Sequence, residues 1–263
     1  MTTSLPSPRN KSLIAYDDLG AGAPVVLLHP SGFGPDLLRP FAATIATHRR
    51  VVIPHRRGFG GSAGLTLPET LDDHHDDLAE LMDILDLRDP LVAGVSAGAT
   101  LALGFARREP GRVGATVAHE PIVGPLGGPL HARLVGRIAR LLERADRPHE
   151  TSLFISELVG VGTWNSLRQD WRFNVEHHAV ATCHEAALFA DFALDEADLA
   201  ALAELPVLAT VGERSPSSRH EVSRVLAARG IATRAIPDAA HLPVIEAPDQ
   251  LVAVLDDALP AAA

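Results

Sequence analysis

The chain has 263 residues, 46% of them hydrophobic, a formal net charge of −10 and one cysteine. That length and apolar content suit one domain with a full core, and the negative charge disfavours a nucleic-acid partner. The lone Cys183 excludes an internal disulfide and is typical of a reducing compartment. No apolar run approaches the roughly 20 residues of a membrane span, and the start of the chain lacks a signal-peptide layout, so we expect a soluble cytoplasmic protein without membrane contact.

Short apolar strands alternate with helical patterns along most of the chain. An edge strand is predicted at 12–17, and buried strands follow at 24–29, 50–53, 91–95, 113–118, 206–211 and 231–236. Helical spacing occurs at 35–47, 70–87, 100–108, 216–229 and 249–259. Strands that are buried on both faces read as apolar runs, as in parallel sheets. The pattern therefore predicts an α/β fold with a mostly parallel central sheet flanked by helices.

Histidine is frequent in this chain, with 13 residues, and this raises the question of a metal site. Two adjacent pairs stand out, His74-His75 within the helical pattern at 70–87 and His177-His178 further along. Neither pair has a third ligand at the spacing of a common zinc motif. We expect solvated surface positions for both pairs, and no metal.

One segment interrupts the alternation of strands and helices. Residues 121–191 contain no convincing buried strand, but several helix-like stretches and a Gly/Pro-rich loop at 124–129. Ligands of open α/β sheets bind at the carboxyl edge of the strands. We therefore expect a helical lid at 121–191 over a core made of 1–120 and 192–263, with an ordinary helical layer as the alternative.

The most informative motif is the segment 94–98, Gly-Val-Ser-Ala-Gly, which joins the strand 91–95 to a helical pattern. A serine at such a sharp turn has a strained backbone, and side chains two positions away would collide. Glycine at 94 and 98 removes these collisions, so the hydroxyl of Ser96 can stand clear at the edge of the sheet. Ser96 is the predicted nucleophile.

A serine hydroxyl needs a base to act as a nucleophile near neutral pH. His241 lies in a loop between the strand 231–236 and the last helix, which places it on the same sheet edge as Ser96. It also comes last in the chain, in the order serine, acid, histidine. We predict that His241 is the base; a solvent-exposed loop histidine is the alternative.

These motifs resemble those of the α/β-hydrolase family. Besides the turn at 94–98 and His241, the segment 29–32 (His-Pro-Ser-Gly) is similar to the family's His-Gly loop, and the segment 57–62 (Arg-Gly-Phe-Gly-Gly-Ser) to its Arg-Gly-x-Gly-x-Ser turn. We interpret the second of these as structural, with an arginine that ties loops together. The resemblance implies the family's fold and hydrolase chemistry but says little about the substrate.

An oxyanion hole in this fold uses two backbone N–H groups. Ala97, at the start of its helix, is expected to supply one. The loop after the strand 24–29 is expected to supply the other, from Ser31 or from its neighbour Gly32, since Pro30 has no N–H. Phe33 is a candidate for the pocket mouth, with a position in the core as the alternative.

The position of the triad acid departs from the commonest family pattern. Most relatives carry the acid in the loop that here follows the strand 206–211. At the corresponding position this chain has Ser215, a residue without a fixed charge. Glu120, directly after the strand 113–118, is the candidate instead. The order and the His-Glu motif are similar to those of the zearalenone lactonases, so we expect Glu120, with Glu213 and then Asp191 as alternatives.

These residues predict a cofactor-free serine hydrolase that cleaves an ester or lactone of a mainly apolar small molecule through an acyl-enzyme. The lactone preference rests solely on the resemblance to the lactonases. Candidates for an apolar pocket wall are Phe154, Trp164, Trp171 and Leu242. Two alternatives stay open: a C–C bond hydrolase or natural-product tailoring enzyme, and a non-catalytic small-molecule receptor. A homodimer is compatible with the sequence, which does not determine the oligomeric state.

Overall fold

The computed structural model of the chain describes residues 2–3, 13–123, 136, 140–141 and 148–258. The predicted loop at 124–129, the first residue of the predicted strand 12–17 and the last residue of the predicted helix 249–259 lie outside these ranges.

Eight strands form one sheet. They are β1 (Thr2–Thr3), β2 (Tyr16–Gly20), β3 (Pro24–Leu28), β4 (Arg50–Pro54), β5 (Leu91–Val95), β6 (Ala115–His119), β7 (Val207–Gly212) and β8 (Ala232–Ile236). Their order across the sheet is β1-β2-β4-β3-β5-β6-β7-β8. β2 pairs antiparallel with β1 and β4, and the other neighbours are parallel. The predicted parallel architecture is confirmed.

Helices follow most of the strands. They are α1 (Arg39–Ile45), α2 (Leu71–Ile84), α3 (Ala97–Arg108), α4 (Pro148–Val159), α5 (Val161–Ser166), α6 (Gln169–His177), α7 (Ala179–Ala190), α8 (Glu196–Ala203), α9 (Ser217–Ala227), α10 (Pro243–Glu246) and α11 (Pro248–Ala258). Short 3-10 turns lie at Pro35–Leu37, Gly60–Ser62 and Pro110–Arg112. No helix in the described part of the chain has the length and apolar character needed to cross a membrane.

Successive side chains of a strand point to opposite sides of the sheet. The central strands are buried on both faces because helices cover both sides. In β3, Val25 and Leu27 belong to the apolar cluster that contains residues of α1 and α11. The intervening Val26 and Leu28 belong to the cluster formed with α2 and α3. This two-sided packing explains why the strands read as continuous apolar runs.

The prediction of solvated histidines is wrong for three of the four residues in the two pairs. His74, His75 and His178 are buried, and only His177 is exposed. α2 is covered by α3, where a Cβ on Gly104 would lie 2.8 Å from the ring of His75. Helical periodicity does not show which polar positions a neighbouring helix will cover. Among the described residues no group of three side chains could hold a metal ion.

The helices α4 to α7 lie between β6 and β7 in the chain, within the segment 121–191, here called the insert. Side chains of α4 and α7 face the carboxyl edge of the parallel strands, where they line a cavity together with Ser96. α4 and α7 therefore form part of the wall around Ser96.

Candidate active site

Ser96 stands between β5 and α3 with φ +55° and ψ −116°. This strained backbone is possible because its neighbourhood lacks side chains. A Cβ on Gly94 would lie 2.2 Å from the carbonyl of Gly98, and a Cβ on Gly98 would lie 2.1 Å from the carbonyl oxygen of Leu28. Backbone atoms cannot give way by such distances, so glycine is required at both positions. The predicted strand–turn–helix around Ser96 is present.

His241 follows β8 and precedes α10, and its ring reaches the end of β6. The Nδ1 atom lies 2.7 Å from Oε2 of Glu120. Because an ionised carboxylate only accepts hydrogen bonds, Nδ1 carries the hydrogen. The lone pair of the neutral ring is therefore on Nε2, the nitrogen that a general base would use.

Glu120 directly follows β6 with φ +50°, and its carboxylate accepts hydrogen bonds from three groups and forms an ion pair with a fourth. Oε1 accepts from the backbone N–H of Gly212 at 3.1 Å and from the hydroxyl of Ser215. Oε2 accepts from His241 and lies 3.0 Å from Nη1 of Arg219. Ser215, which stands where most relatives have the acid, is thus a hydrogen-bond donor to Glu120.

The alternative acids do not reach the imidazole. Glu213 is exposed and accepts a hydrogen bond from the backbone N–H of Asp238 at 3.2 Å. Asp191 is exposed at the end of α7. Among the three candidates, the structure brings only Glu120 to His241.

Charges around the pair shift both pKa values. Burial by itself would raise the pKa of the Glu120 carboxyl, but Arg219 and the hydrogen bond with His241 outweigh burial and hold this pKa well below its ordinary range. Burial lowers the pKa of His241, and the charge of Arg219 lowers it further, while Glu120 partly offsets both effects. Near neutral pH the resting pair is therefore a carboxylate beside a neutral imidazole.

Ser96 and His241 line the same cavity and are both buried. No hydrogen bond joins the Ser96 hydroxyl to the imidazole in the described structure. Proton transfer between them would require this contact to close.

Ser96 lies in a cavity between the sheet edge and the insert. Among the described residues that line it, Ser31, Ser96, Thr182 and His241 are polar, and the other lining side chains are apolar. Of the residues predicted for the pocket, it includes Phe33, Phe154 and Leu242. α4 and α7 of the insert contribute about half of the wall, so the insert shapes the space around the candidate nucleophile.

The two tryptophans are not among the residues that line this cavity. Trp164 lies behind Phe33, with the ring centroids 6.5 Å apart. Trp171 is half-buried, with the guanidinium carbon of Arg168 5.0 Å from its ring centroid. Both pack against the core cluster that contains residues of α1 and α11.

The predicted oxyanion loop lies beside Ser96. Ala97 is the first residue of α3, where helix N–H groups have no intrahelical partner. Ser31 lines the cavity, and its hydroxyl donates to Oε2 of Glu185 at 3.0 Å. Gly32 has φ +88° and does not line the cavity, but a Cβ there would press on Ile155 of α4 at 3.1 Å.

Arg56 and Glu185 form an ion pair next to the predicted oxyanion loop, and no sequence pattern predicted this pair. Arg56 donates from Nε to Oε1 of Glu185 at 2.7 Å and from Nη2 to Oε2 at 3.0 Å. It also donates to the carbonyl of His29. The neighbouring Arg57 makes a similar pair with Asp77, at 2.7 Å for both bonds. Arg56 and Arg57 thus tie the turn after β4 to the helices α7 and α2, and Arg56 also ties it to the loop after β3.

Two further residues hold the loop of His241. Glu246 accepts from the backbone N–H groups of Ala240 at 2.8 Å and Leu242 at 3.0 Å, on both sides of the histidine. His119 lies 2.9 Å from the carbonyl oxygen of Ala240, and burial lowers its pKa to about 4. The only sequence signal for either was its position next to a candidate catalytic segment.

Comparison with known proteins agrees with this architecture. The model of the alpha/beta hydrolase family matches residues 25–254. A haloalkane dehalogenase of Agrobacterium fabrum is 29% identical over 139 residues, which are 52% of this chain and 44% of that protein. A 2-hydroxy-6-oxo-2,4-heptadienoate hydrolase of Pseudomonas putida is 38% identical over 102 residues, 36% of either chain. The matches thus span less than half the length of these curated relatives.

A crystal structure of a hydrolase from Pseudomonas aeruginosa superimposes with a TM-score of 0.79 at 23% identity, covering 99% of this chain and 98% of that one. This likeness shows the fold over its full extent. The family match begins within β3 and covers the strands β4 to β8, the turn at Ser96 and the loop of His241. The chain belongs to the alpha/beta hydrolase family.

Proposed function

We propose that this protein is a serine hydrolase that cleaves a carboxylic ester or lactone of a mainly apolar small molecule. The observation that carries the proposal is the 2.7 Å contact between His241 and Glu120 at the cavity that contains Ser96. A hydroxyl, an imidazole of suitable tautomer and a buried carboxylate are the groups that acyl transfer requires.

In the proposed reaction Ser96 Oγ attacks the carbonyl carbon, and its proton passes to Nε2 of His241. The carbonyl oxygen becomes an oxyanion, which the N–H groups of Ala97 and Ser31, or of Gly32 in its place, would stabilise. The imidazolium then protonates the leaving alcohol, and the acyl group stays on Ser96. A water loses its proton to His241 and attacks the acyl carbon, and the proton returns to Ser96 as the acid leaves.

Glu120 would stabilise the imidazolium that forms in both steps. Its depressed pKa keeps it ionised at neutral pH, so it remains an anion beside the new positive charge. Its three hydrogen bonds and the ion pair with Arg219 also fix its orientation, and therefore that of the imidazole ring.

The apolar wall of the cavity supports an apolar substrate. Phe33, Phe154 and Leu242 would contact its hydrocarbon part, and the described residues that line the space include no arginine or lysine to bind a substrate carboxylate. The insert would act as a lid that excludes water. The lactone preference has its support in the sequence resemblance alone.

A second candidate reaction is hydrolysis of a C–C bond. It is favoured by the 38% identity with the Pseudomonas putida hydrolase. The same serine and histidine would serve, but the leaving group would be a carbanion equivalent in place of an alcohol.

The nucleophile is tested with Ser96→Ala. We expect this variant to fold normally and to lose hydrolysis of an activated ester, together with covalent labelling by a fluorophosphonate. Turnover that persists in the Ser96→Ala protein would contradict the proposal. Labelling of Ser96 in the wild type without esterase or lactonase turnover would favour C–C bond hydrolysis.

The acid is tested with a matched pair of variants, Glu120→Gln and Glu213→Gln. Loss of the carboxylate at 120 removes the partner of the imidazolium, so we expect kcat to fall by about 10³-fold or more. Glu213→Gln should leave kcat within about twofold, since Glu213 is exposed and does not reach His241. The opposite ranking would assign the acid to the later loop.

A further inference from the structure

The hydroxyl of Ser31 has no role in the proposed reaction. Ser31 lines the cavity beside Ser96 and His241, yet the proposed reaction uses only its backbone N–H. Its hydroxyl donates to Oε2 of Glu185 at 3.0 Å. A hydroxyl has one hydrogen and two lone pairs. Because the hydroxyl donates its hydrogen to Glu185, it can act towards a bound molecule only as a hydrogen-bond acceptor.

The direction of this bond is imposed by the state of Glu185. The carboxyl is fully buried and receives two N–H bonds from Arg56, and His74 Nε2 lies 3.3 Å from its Oε1. Burial by itself would raise the pKa of Glu185, but Arg56 and His74 outweigh burial and hold this pKa well below its ordinary range. An ionised carboxylate cannot donate, so Ser31 must be the donor.

The frame around Ser31 is held from two sides. Arg56 follows β4 and also donates to the carbonyl of His29, two residues before Ser31. Glu185 belongs to α7 of the insert, 129 residues further along the chain than Arg56. The hydroxyl is therefore fixed by a buried ion pair and does not rotate freely as a surface serine would.

Once a bound substrate excludes water from the cavity, a Ser31 lone pair without a hydrogen-bond donor would weaken binding. Apart from Ser31, the polar lining side chains are Ser96, His241 and Thr182, and the first two are engaged in the proposed chemistry. A buried polar atom without a partner costs about 1–3 kcal/mol. A substrate that supplies a hydrogen-bond donor at this position avoids that cost.

We propose that the Ser31 hydroxyl is a specificity-determining hydrogen-bond acceptor, and that it selects esters with a hydroxyl group on the carbon next to the scissile carbonyl. The inference rests on the proposed function, because the Ser31 N–H is there assigned to the carbonyl oxygen. A side chain on the same residue would then face the carbon beside that carbonyl. The substrate class is a 2-hydroxy ester with an apolar chain.

The test measures binding without turnover. Isothermal titration uses the Ser96→Ala protein with ethyl 2-hydroxyhexanoate and ethyl 2-methoxyhexanoate, which differ only in the donor hydrogen and its replacement by methyl. We expect the hydroxy ester to bind about tenfold more tightly, the ratio that corresponds to about 1.4 kcal/mol. In Ser96→Ala/Ser31→Ala the ratio should fall to within about twofold, since the acceptor is gone. Ser96→Ala/Ser31→Thr, which keeps the hydroxyl, should retain the preference.

An equal ratio with and without the Ser31 hydroxyl, or tighter binding of the methoxy ester by the Ser96→Ala protein, would overturn the inference. Glu185→Gln adds a second readout, because a carboxamide N–H can donate to Ser31 and release its hydrogen towards the cavity. The preference should then move towards the methoxy ester. If that variant does not fold, the comparison at position 31 still decides the matter.

The wild-type protein separates this inference from the proposed function. Selective binding of the hydroxy ester without hydrolysis of either ester would contradict the hydrolase proposal and leave the role of Ser31 standing. Hydrolysis of both esters at equal kcat/KM, with equal binding, would contradict the role of Ser31 alone.

Discussion

At the scale of single residues, the most consequential feature is that His241 and Arg219 both contact Oε2 of Glu120. The imidazole of His241 is cationic once protonated, and Arg219 also donates to the carbonyl of Leu158 in α4 at 3.3 Å. Arg219 therefore holds the acid in place while opposing protonation of the base. A neutral imidazole at rest is what a general base requires.

Arg219→Gln tests this effect. The positive charge of Arg219 lowers the pKa of His241, so its loss should raise this pKa. The base is active when neutral, so activity is lost as the pH falls below its pKa, and the acidic limb of kcat/KM should move to higher pH. The measurement is a pH profile of ester hydrolysis.

Arg224→Gln is the matched control, since Arg224 is exposed on the same helix. Its profile should coincide with that of the wild type. A shift of equal size in both variants would mean a general effect of surface charge, and an unshifted Arg219→Gln profile would remove Arg219 from the control of the base.

At the scale of elements, the unit β5–turn–α3 determines where Ser96 stands. The helix begins directly at Ala97, and its second residue, Gly98, presses against the backbone at the end of β3. This contact joins the helix to the sheet without an intervening side chain. The turn is therefore specified by steric exclusion at Gly94 and Gly98.

Gly98→Ala is expected to destabilise the fold, although alanine is the better helix former. Its Cβ would lie 2.1 Å from the carbonyl oxygen of Leu28, so the helix must shift. Overpacking of this kind costs about 1–3 kcal/mol, and thermal unfolding measures it.

Gly162→Ala in α5 provides the control, because nothing lies within 4 Å of its added Cβ. This variant should unfold at the wild-type temperature or slightly above it. A Gly98→Ala protein as stable as Gly162→Ala, with full esterase activity, would show that the contact can relax at little cost.

At the scale of the whole molecule, the fold buries several histidines in neutral form. Burial lowers the pKa of His75 and of His119 to about 4, from an ordinary value of 6.5. Between these values the unfolded chain binds protons that the folded chain does not. The free energy of unfolding must therefore decrease as the pH falls through this window.

We expect the unfolding midpoint to drop between pH 7.5 and pH 5, where the ionised Glu120 and Glu185, whose pKa values are lowered, still contribute their full stabilisation. Each such histidine can contribute up to about 1.4 kcal/mol per pH unit. His75→Gln should reduce this slope, and His48→Gln, at an exposed position, should not. Identical slopes in the three proteins would contradict the assignment to His75.

The fold and much of the candidate site could be predicted because their determinants are local. Strand 91–95 was predicted with the bounds that the structure has, and the glycines at 94 and 98 indicated the turn between it and α3. The prediction of an edge strand at 12–17 is wrong in two respects: β2 begins at Tyr16, because pairing with β4 defines its limits, and the two-residue strand β1 lies outside it in the sheet. Pairing depends on the partner strand and cannot be read from one segment.

The sequence by itself determined the α/β architecture, the strained serine at 96 and the order of serine, glutamate and histidine, since backbone sterics and strand burial act over a few residues. Only the tertiary structure decided which side chains meet across the molecule. Ser215 donates to Glu120, Arg56 pairs with Glu185, Glu246 holds the loop of His241, and Trp164 lies behind Phe33 and not at the cavity. Apart from that of Glu246, these contacts join residues far apart in the chain, and those of Glu185 and Trp164 depend on how the insert packs on the sheet, which no local periodicity specifies.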